Sequence, residues 1–204
     1  DNGQLFPLPN NDTLLVLEDF ASGGDAELLS KVYDTSISTW DSNWVNIEED
    51  WESHADISTN WAGSQDNKTL NVFIAGTNDV EDAGANLTLY RYNATTSVWT
   101  NVSQIEETQS LGSASIAINA SSGELYVFYS RIPSSNTHEQ YMVYRKSKNG
   151  TNWGNVSKRF TNGTGSGREY RFVGTNYLSS DIFYAEWGKT SANTLFGHVI
   201  NESV

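Results

Sequence analysis

One pattern returns along this chain at a spacing of roughly 55 residues, and a repeat of that length limits the available folds more than any other feature. Each copy holds an apolar strand, then a strand near x-L-x-V-F/L, then a strand ending in V/L-Y, then a polar turn with a Trp. The second strand reads Thr13-Leu14-Leu15-Val16-Leu17, Thr69-Leu70-Asn71-Val72-Phe73 and Glu124-Leu125-Tyr126-Val127-Phe128. The third reads Lys31-Val32-Tyr33, Thr88-Leu89-Tyr90-Arg91 and Met142-Val143-Tyr144-Arg145. The turn and fourth strand read Asn43-Trp44-Val45-Asn46-Ile47, Trp99-Thr100-Asn101-Val102 and Trp153-Gly154-Asn155-Val156. A fourth copy starts at Tyr170-Arg171-Phe172-Val173, continues as Asp181-Ile182-Phe183-Tyr184 and reaches Leu195 to Ile200.

The first strand of each unit is expected near Leu5 to Leu8, Ala55 to Thr59 and Ala114 to Asn119. Turn formers follow at Asn10-Asn11-Asp12, Gly63 to Lys68 and Asn119 to Gly123, residue types that accept positive φ or close Asx turns. Ser115-Ile116-Ala117-Ile118 alternates with period two, as a half-buried strand does. No stretch keeps a helical period beyond about two turns. Four antiparallel strands per unit, repeated every 40 to 55 residues or so, are the signature of β-propeller blades. The expected fold is all-β and propeller-like: one domain over 1–204, with repeats near 1–50, 51–108, 109–162 and 163–204. A lone blade cannot bury both its faces, so blades must stack. Trp44, Trp99 and Trp153 are then expected between neighbouring blades, each burying on the order of 200 Å².

The turn Ser147-Lys148-Asn149-Gly150-Thr151-Asn152-Trp153 resembles the S-x-D-x-G-x-x-W box of sialidase-type propellers, one residue short. The sister turns, Asn93 to Trp99 and Thr35 to Trp44, are more degenerate. That resemblance implies a propeller and, in the family's enzymes, an arginine clamp for a carboxylate, a Tyr–Glu nucleophile pair and an Asp acid/base. Arg131-Ile132-Pro133 resembles the family's Arg-Ile-Pro element, but it follows the second strand of the third unit rather than sitting in the first. Pro after an apolar residue also ends strand ladders. Arg91 and Arg145 recur at equivalent repeat positions and read as structural. No catalytic residue is assigned.

Charge narrows the partners. With 12 Lys+Arg against 25 Asp+Glu the net charge is −13, which argues against nucleic acid or an anionic membrane. The acidic runs Glu48-Glu49-Asp50 and Asp79 to Asp82 read as solvated surface, without EF-hand spacing. The chain has no Cys, and His54, His138 and His198 show no ligand spacing, so neither metal nor cofactor is expected. No apolar run has the roughly 20 residues of a membrane helix. The start at Asp1 suits a mature or excised piece.

Ten of the 21 Asn stand in N-x-S/T: Asn11, Asn67, Asn86, Asn93, Asn101, Asn119, Asn149, Asn155, Asn162 and Asn201. This excess points to a glycosylated protein outside the cell or on its surface. Trp61, Tyr92 and Trp187 lie outside the repeated Trp positions and are the candidate sugar-stacking residues. An open edge at Leu195 to Ile200 calls for a strand partner: Gln4 to Leu8 of the same chain, or of a second copy. Together these features lead to a secreted, non-enzymatic module that binds glycans or other surface proteins, or that assembles into a layer or filament. The alternatives are a sialidase-like or other propeller glycoside hydrolase, and an architectural repeat of a larger surface protein.

Overall fold

The computed structural model describes residues 2–20, 26–51, 61–78, 86–107, 111–131, 141–158, 170–178, 181–188 and 194–201. Among them every long element is a β-strand, and the one helical piece is a single 3-10 turn at Pro9–Asn11. The first sheet runs β1 (Asn2–Pro7), β2 (Thr13–Phe20), β3 (Ala26–Asp34) and then the divided outer strand β4 (Thr39–Trp40) and β5 (Val45–Trp51). The second is β6 (Trp61–Gln65), β7 (Val72–Asn78), β8 (Asn86–Asn93) and β9 (Val98–Glu107). The third is β10 (Leu111–Ile118), β11 (Leu125–Arg131), β12 (Tyr141–Ser147) and the short β13 (Ser157–Lys158). The fourth comprises β14 (Tyr170–Leu178), β15 (Asp181–Gly188) and β16 (Thr194–Asn201). All pairings are antiparallel meanders, and one pair, Trp51 with Asn78, joins the edges of the first two sheets.

The stacking follows from the strand pattern. Along β8, Leu87 and Leu89 enter one core with Ala75, Ile105, Ile116, Val127 and Tyr129. Tyr90 and Tyr92 enter the other core with Phe6, Leu14, Val16, Leu28 and Trp61. In β7, Ile74 and Ala75 divide in the same way. Successive side chains of a strand point to opposite faces, so the middle strands of the second sheet must be apolar on both. That explains why Asn86–Asn93 reads as an almost continuous buried run rather than an alternating one. Each buried aliphatic or aromatic side chain contributes about 1.5–3 kcal/mol, and this sheet gains on both faces.

Two glycines let neighbouring sheets approach. A Cβ on Gly63 in β6 would collide with the ring of Phe6, and the Gly63 amide donates to Gln4 Oε1 at 3.0 Å. A Cβ on Gly150 would lie 2.9 Å from Leu89 Cδ2, and its φ of +75° is left-handed besides.

Two expectations shift. The strand expected at Ala55 to Thr59 lies outside the described residues; the inner strand seen is Trp61–Gln65. Gly63 is therefore a strand residue, kept small by the ring of Phe6, and the turn begins at Asp66. In the first unit the blade tryptophan is Trp40, not Trp44. Tyr33 pairs with Trp40 just as Tyr92 pairs with Trp99, and both ring pairs sit 5.3 Å apart. Ser38 and Ser97 hold matching positive φ of 55° two residues earlier. The break between β4 and β5 moved the pattern in sequence. Trp44 is 43% exposed, with Lys31 Nζ 4.9 Å from its ring.

Candidate functional site

Antiparallel pairing gives the stack two unlike ends. At one end lie the turns joining first to second and third to fourth strands, and these are short and built on side-chain oxygens. Asn93 Oδ1 accepts from the amides of Thr95 and Thr96, Asn119 Oδ1 from Ser121 and Ser122, and Asn149 Oδ1 from Thr151 and Asn152. Asp34 and Asp66 do the same work toward Ser36 and Lys68. The Ser36 hydroxyl and amide hold the Asp34 carboxyl below its ordinary range. Ser147 Oγ accepts from the Gly150 amide at 2.9 Å, which closes the turn from within.

The opposite end gathers the ends of β2, β5, β7, β9, β11 and β15, and with them the buried or half-buried carboxylates Glu18, Glu48 and Glu106. Glu18, two residues from the end of β2, is 2% exposed and pairs in register with Asn2 of the inner strand. Glu48 in β5 and Glu106 in β9 occupy matching places, since Glu48 faces Leu28 and Glu106 faces Leu87. Each reaches across to the next sheet. Tyr90 donates its hydroxyl to Glu48 Oε2 at 2.5 Å, and Tyr129 donates to Glu106 Oε2 at 2.8 Å. Burial pushes the Tyr90 hydroxyl well above its usual range, and the hydrogen bond to Glu48 and its charge push the same way. Arg145 Nη2 lies 2.8 Å from the same Glu106 oxygen, and its Nη1 donates to the Ile105 carbonyl at 2.9 Å. Arg145 Nε is buried and makes no hydrogen bond among the described residues. Gln104, Ile105, Glu106 and Arg145 line an open cavity of about 210 Å³ between the second and third sheets.

Several expected site residues fall elsewhere. Trp61 is 1% exposed and Tyr92 3% exposed, and both lie in the core shared by the first two sheets. Neither offers a ring face to a sugar, because the adjoining sheet covers it. Trp187 lies in β15 opposite Arg171 and Leu195, with its side chain outside the described set. Arg131 ends β11 opposite Leu111 and Tyr141, at the acidic end; its side chain too is outside that set. Glu48 is not solvated surface but an inter-sheet acceptor. Arg145 is structural as expected, tying the third sheet to the second. The acids missed in sequence had a signal: Ile47-Glu48-Glu49 and Ile105-Glu106-Glu107 repeat the same triplet.

Of the Asn positions, Asn11, Asn67, Asn101, Asn149 and Asn155 are exposed, Asn86 and Asn93 half-buried, and Asn119 8% exposed. Asn162 lies outside the described residues, and Asn201 closes β16.

These sheets define a β-propeller architecture. An α-L-arabinanase of Penicillium chrysogenum, complexed with arabinobiose, matches 98% of this chain with a TM-score of 0.70 at 16% identity. A GH93 α-L-arabinofuranosidase of Fusarium graminearum, also with arabinobiose, matches 98% with a TM-score of 0.67 at 10% identity. In both cases the match spans 62% of the other chain, so this chain covers less than two thirds of their length. An α-L-arabinanase of Cellvibrio cellulosa matches 98% of this chain and 72% of its own at a TM-score of 0.50 and 14% identity. No protein-family model matches the chain, and no curated protein matches it in sequence. At such identities the likeness is one of fold: a propeller, without specific support for the sialidase-type box. It does correct the expectation of a non-enzymatic surface module. The solved propellers it matches are an α-L-arabinanase and an α-L-arabinofuranosidase, which are enzymes.

Proposed function

We propose that this chain forms part of a propeller glycoside hydrolase acting on arabinose-containing glycans at the end where β2, β5, β9 and β11 finish. The observation that carries the reading is the placement there of Glu18, Glu48 and Glu106 on the first two sheets, with Arg145 of the third paired to Glu106. Glycoside hydrolysis takes two carboxyl groups flanking the scissile bond, about 5–5.5 Å apart for retention and about 6.5–9.5 Å for inversion. Glu18, beside the inner strand, is the first candidate for a reacting carboxylate. Glu106 is the second, with Arg145 and Tyr129 fixing its orientation. The arabinobiose bound to the two matched propellers supports this choice of substrate class. Secretion belongs to the same proposal, since such polysaccharides are met outside the cell.

The test is incubation with arabinobiose, linear arabinan and nitrophenyl α-L-arabinofuranoside. The expected result is sugar release that falls at least 100-fold in Glu18→Gln while the melting temperature holds, and by as much per folded molecule in Glu106→Gln, whose melting temperature also falls because Arg145 loses its carboxylate partner. No release from any of the three overturns the reading.

A further inference from the structure

We propose that Asn67, Asn101 and Asn155 are N-glycosylation sites, and that they dress the short-turn end and outer strands while leaving the acidic end bare. The ten tripeptides divide by geometry. Asn93, Asn119 and Asn149 each accept two backbone hydrogen bonds in an Asx turn, and Asp34 and Asp66 hold sister turns the same way. Turn closure alone accounts for Asn at those three places. Asn119 is also too enclosed, at 8% exposure, for its amide nitrogen to carry a sugar outward.

Asn67, Asn101 and Asn155 have no such duty. All three are exposed, and among the described residues their side chains make no hydrogen bond. At Asn67 the Asx turn is already closed by its neighbour Asp66. Asn101 and Asn155 each follow a blade tryptophan by two residues, in Trp99-Thr100-Asn101-Val102-Ser103 and Trp153-Gly154-Asn155-Val156-Ser157. Those tryptophans tie adjacent sheets together, with Trp99 Nε1 donating to Ser30 Oγ and Trp153 Nε1 to Ser103 Oγ. The two asparagines are thereby fixed outward on the rim. Neither packing, capping nor hydrogen bonding explains an Asn at these two places, whereas Ser103 has its own duty, accepting from Trp153 and donating to the Gly150 carbonyl.

The placement is also one-sided. Asn11, Asn67, Asn93, Asn119, Asn149 and Asn155 stand in or beside the short turns, and Asn101 stands on the outer strand. Among the described residues only Asn86, opening β8, lies at the acidic end. The modification joins the Asn amide nitrogen to the anomeric carbon of a polyprenyl-diphosphate oligosaccharide. The anomeric C–O bond breaks, the lipid diphosphate leaves, and the amide proton passes to base. This inference stands apart from the glycosidase reading, because it concerns the opposite end.

The test is secretion of the full chain from an N-glycosylating host, followed by enzymatic deglycosylation in heavy-oxygen water and peptide mapping. Conversion of Asn to labelled Asp is expected at 67, 101 and 155 and absent at 119. In the triple variant Asn67→Gln, Asn101→Gln, Asn155→Gln, the mass is expected to drop by three glycans. Unlabelled peptides at all three positions, or labelling at Asn119 in their place, overturn the proposal.

Discussion

The indole of Trp99 donates to Ser30 Oγ at 2.8 Å, from the outer strand of the second sheet to the third strand of the first. One unit further on, Trp153 donates to Ser103 Oγ at 2.9 Å. The same device therefore locks the second sheet to the first and the third to the second, with the ring covering apolar surface while its single donor is satisfied. Trp40, the equivalent in the first sheet, is 41% exposed.

From this difference, Trp99→Ala is expected to destabilise the protein by about 2–4 kcal/mol, near the range for losing a large buried side chain. Ser30→Ala is expected to cost about 1 kcal/mol, the loss of one hydrogen bond. Trp40→Ala is expected to stay within about 1 kcal/mol in the same chain, since surface changes move stability little. Urea denaturation followed by tryptophan fluorescence ranks the three.

The two close-approach glycines make a second pair of variants. At Gly63→Ala the methyl group meets the ring of Phe6, and overpacking of this kind costs about 1–3 kcal/mol. Gly150→Ala meets Leu89 and is strained by a positive φ as well, so it is expected to be the more damaging. Thermal melts of both variants check the order, and Gly123→Ala isolates the φ effect because nothing lies within 4 Å of its Cβ.

A third expectation concerns alkaline pH. The folded protein holds the Tyr90 hydroxyl protonated above its ordinary value of 10.0, so the folded state binds the proton more tightly than the unfolded chain. The stability linked to this proton is complete below pH 10 and is lost as pH rises above it, where the unfolded tyrosine ionises first. Tyr90→Phe is expected to flatten that part of the curve. Denaturation midpoints from pH 8 to 11.5 for both proteins measure it.

Legibility followed range of interaction. Each hairpin turn is closed within a few residues, as Asn93 is with Thr95 and Thr96, so the turn residues announce themselves in sequence. The strand pairs are nearly as local, and Thr13 to Leu17 or Leu125 to Phe128 fall in strands as read. The first blade tryptophan was misplaced at Trp44 because the outer strand breaks between Trp40 and Val45, and only pairing with Tyr33 reveals the register. Glu48 within an acidic run looked solvated, since nothing near it in sequence indicates that Tyr90, 42 residues away, supplies the donor. Trp61 reads in sequence as a candidate sugar-stacking residue because the sheet that buries it belongs to the preceding repeat.

By itself the sequence determined the repeat, the all-β class, the hairpins and the need for each sheet to be covered on both faces. Those follow from period, turn chemistry and apolar content, which act over a few residues. Tertiary structure decided which carboxylates are buried, which arginine meets them, and which aromatic rings are core. These depend on which sheet face lies opposite, and that is set only when residues some 40 to 70 positions apart, such as Tyr90 with Glu48 and Trp99 with Ser30, are packed against each other.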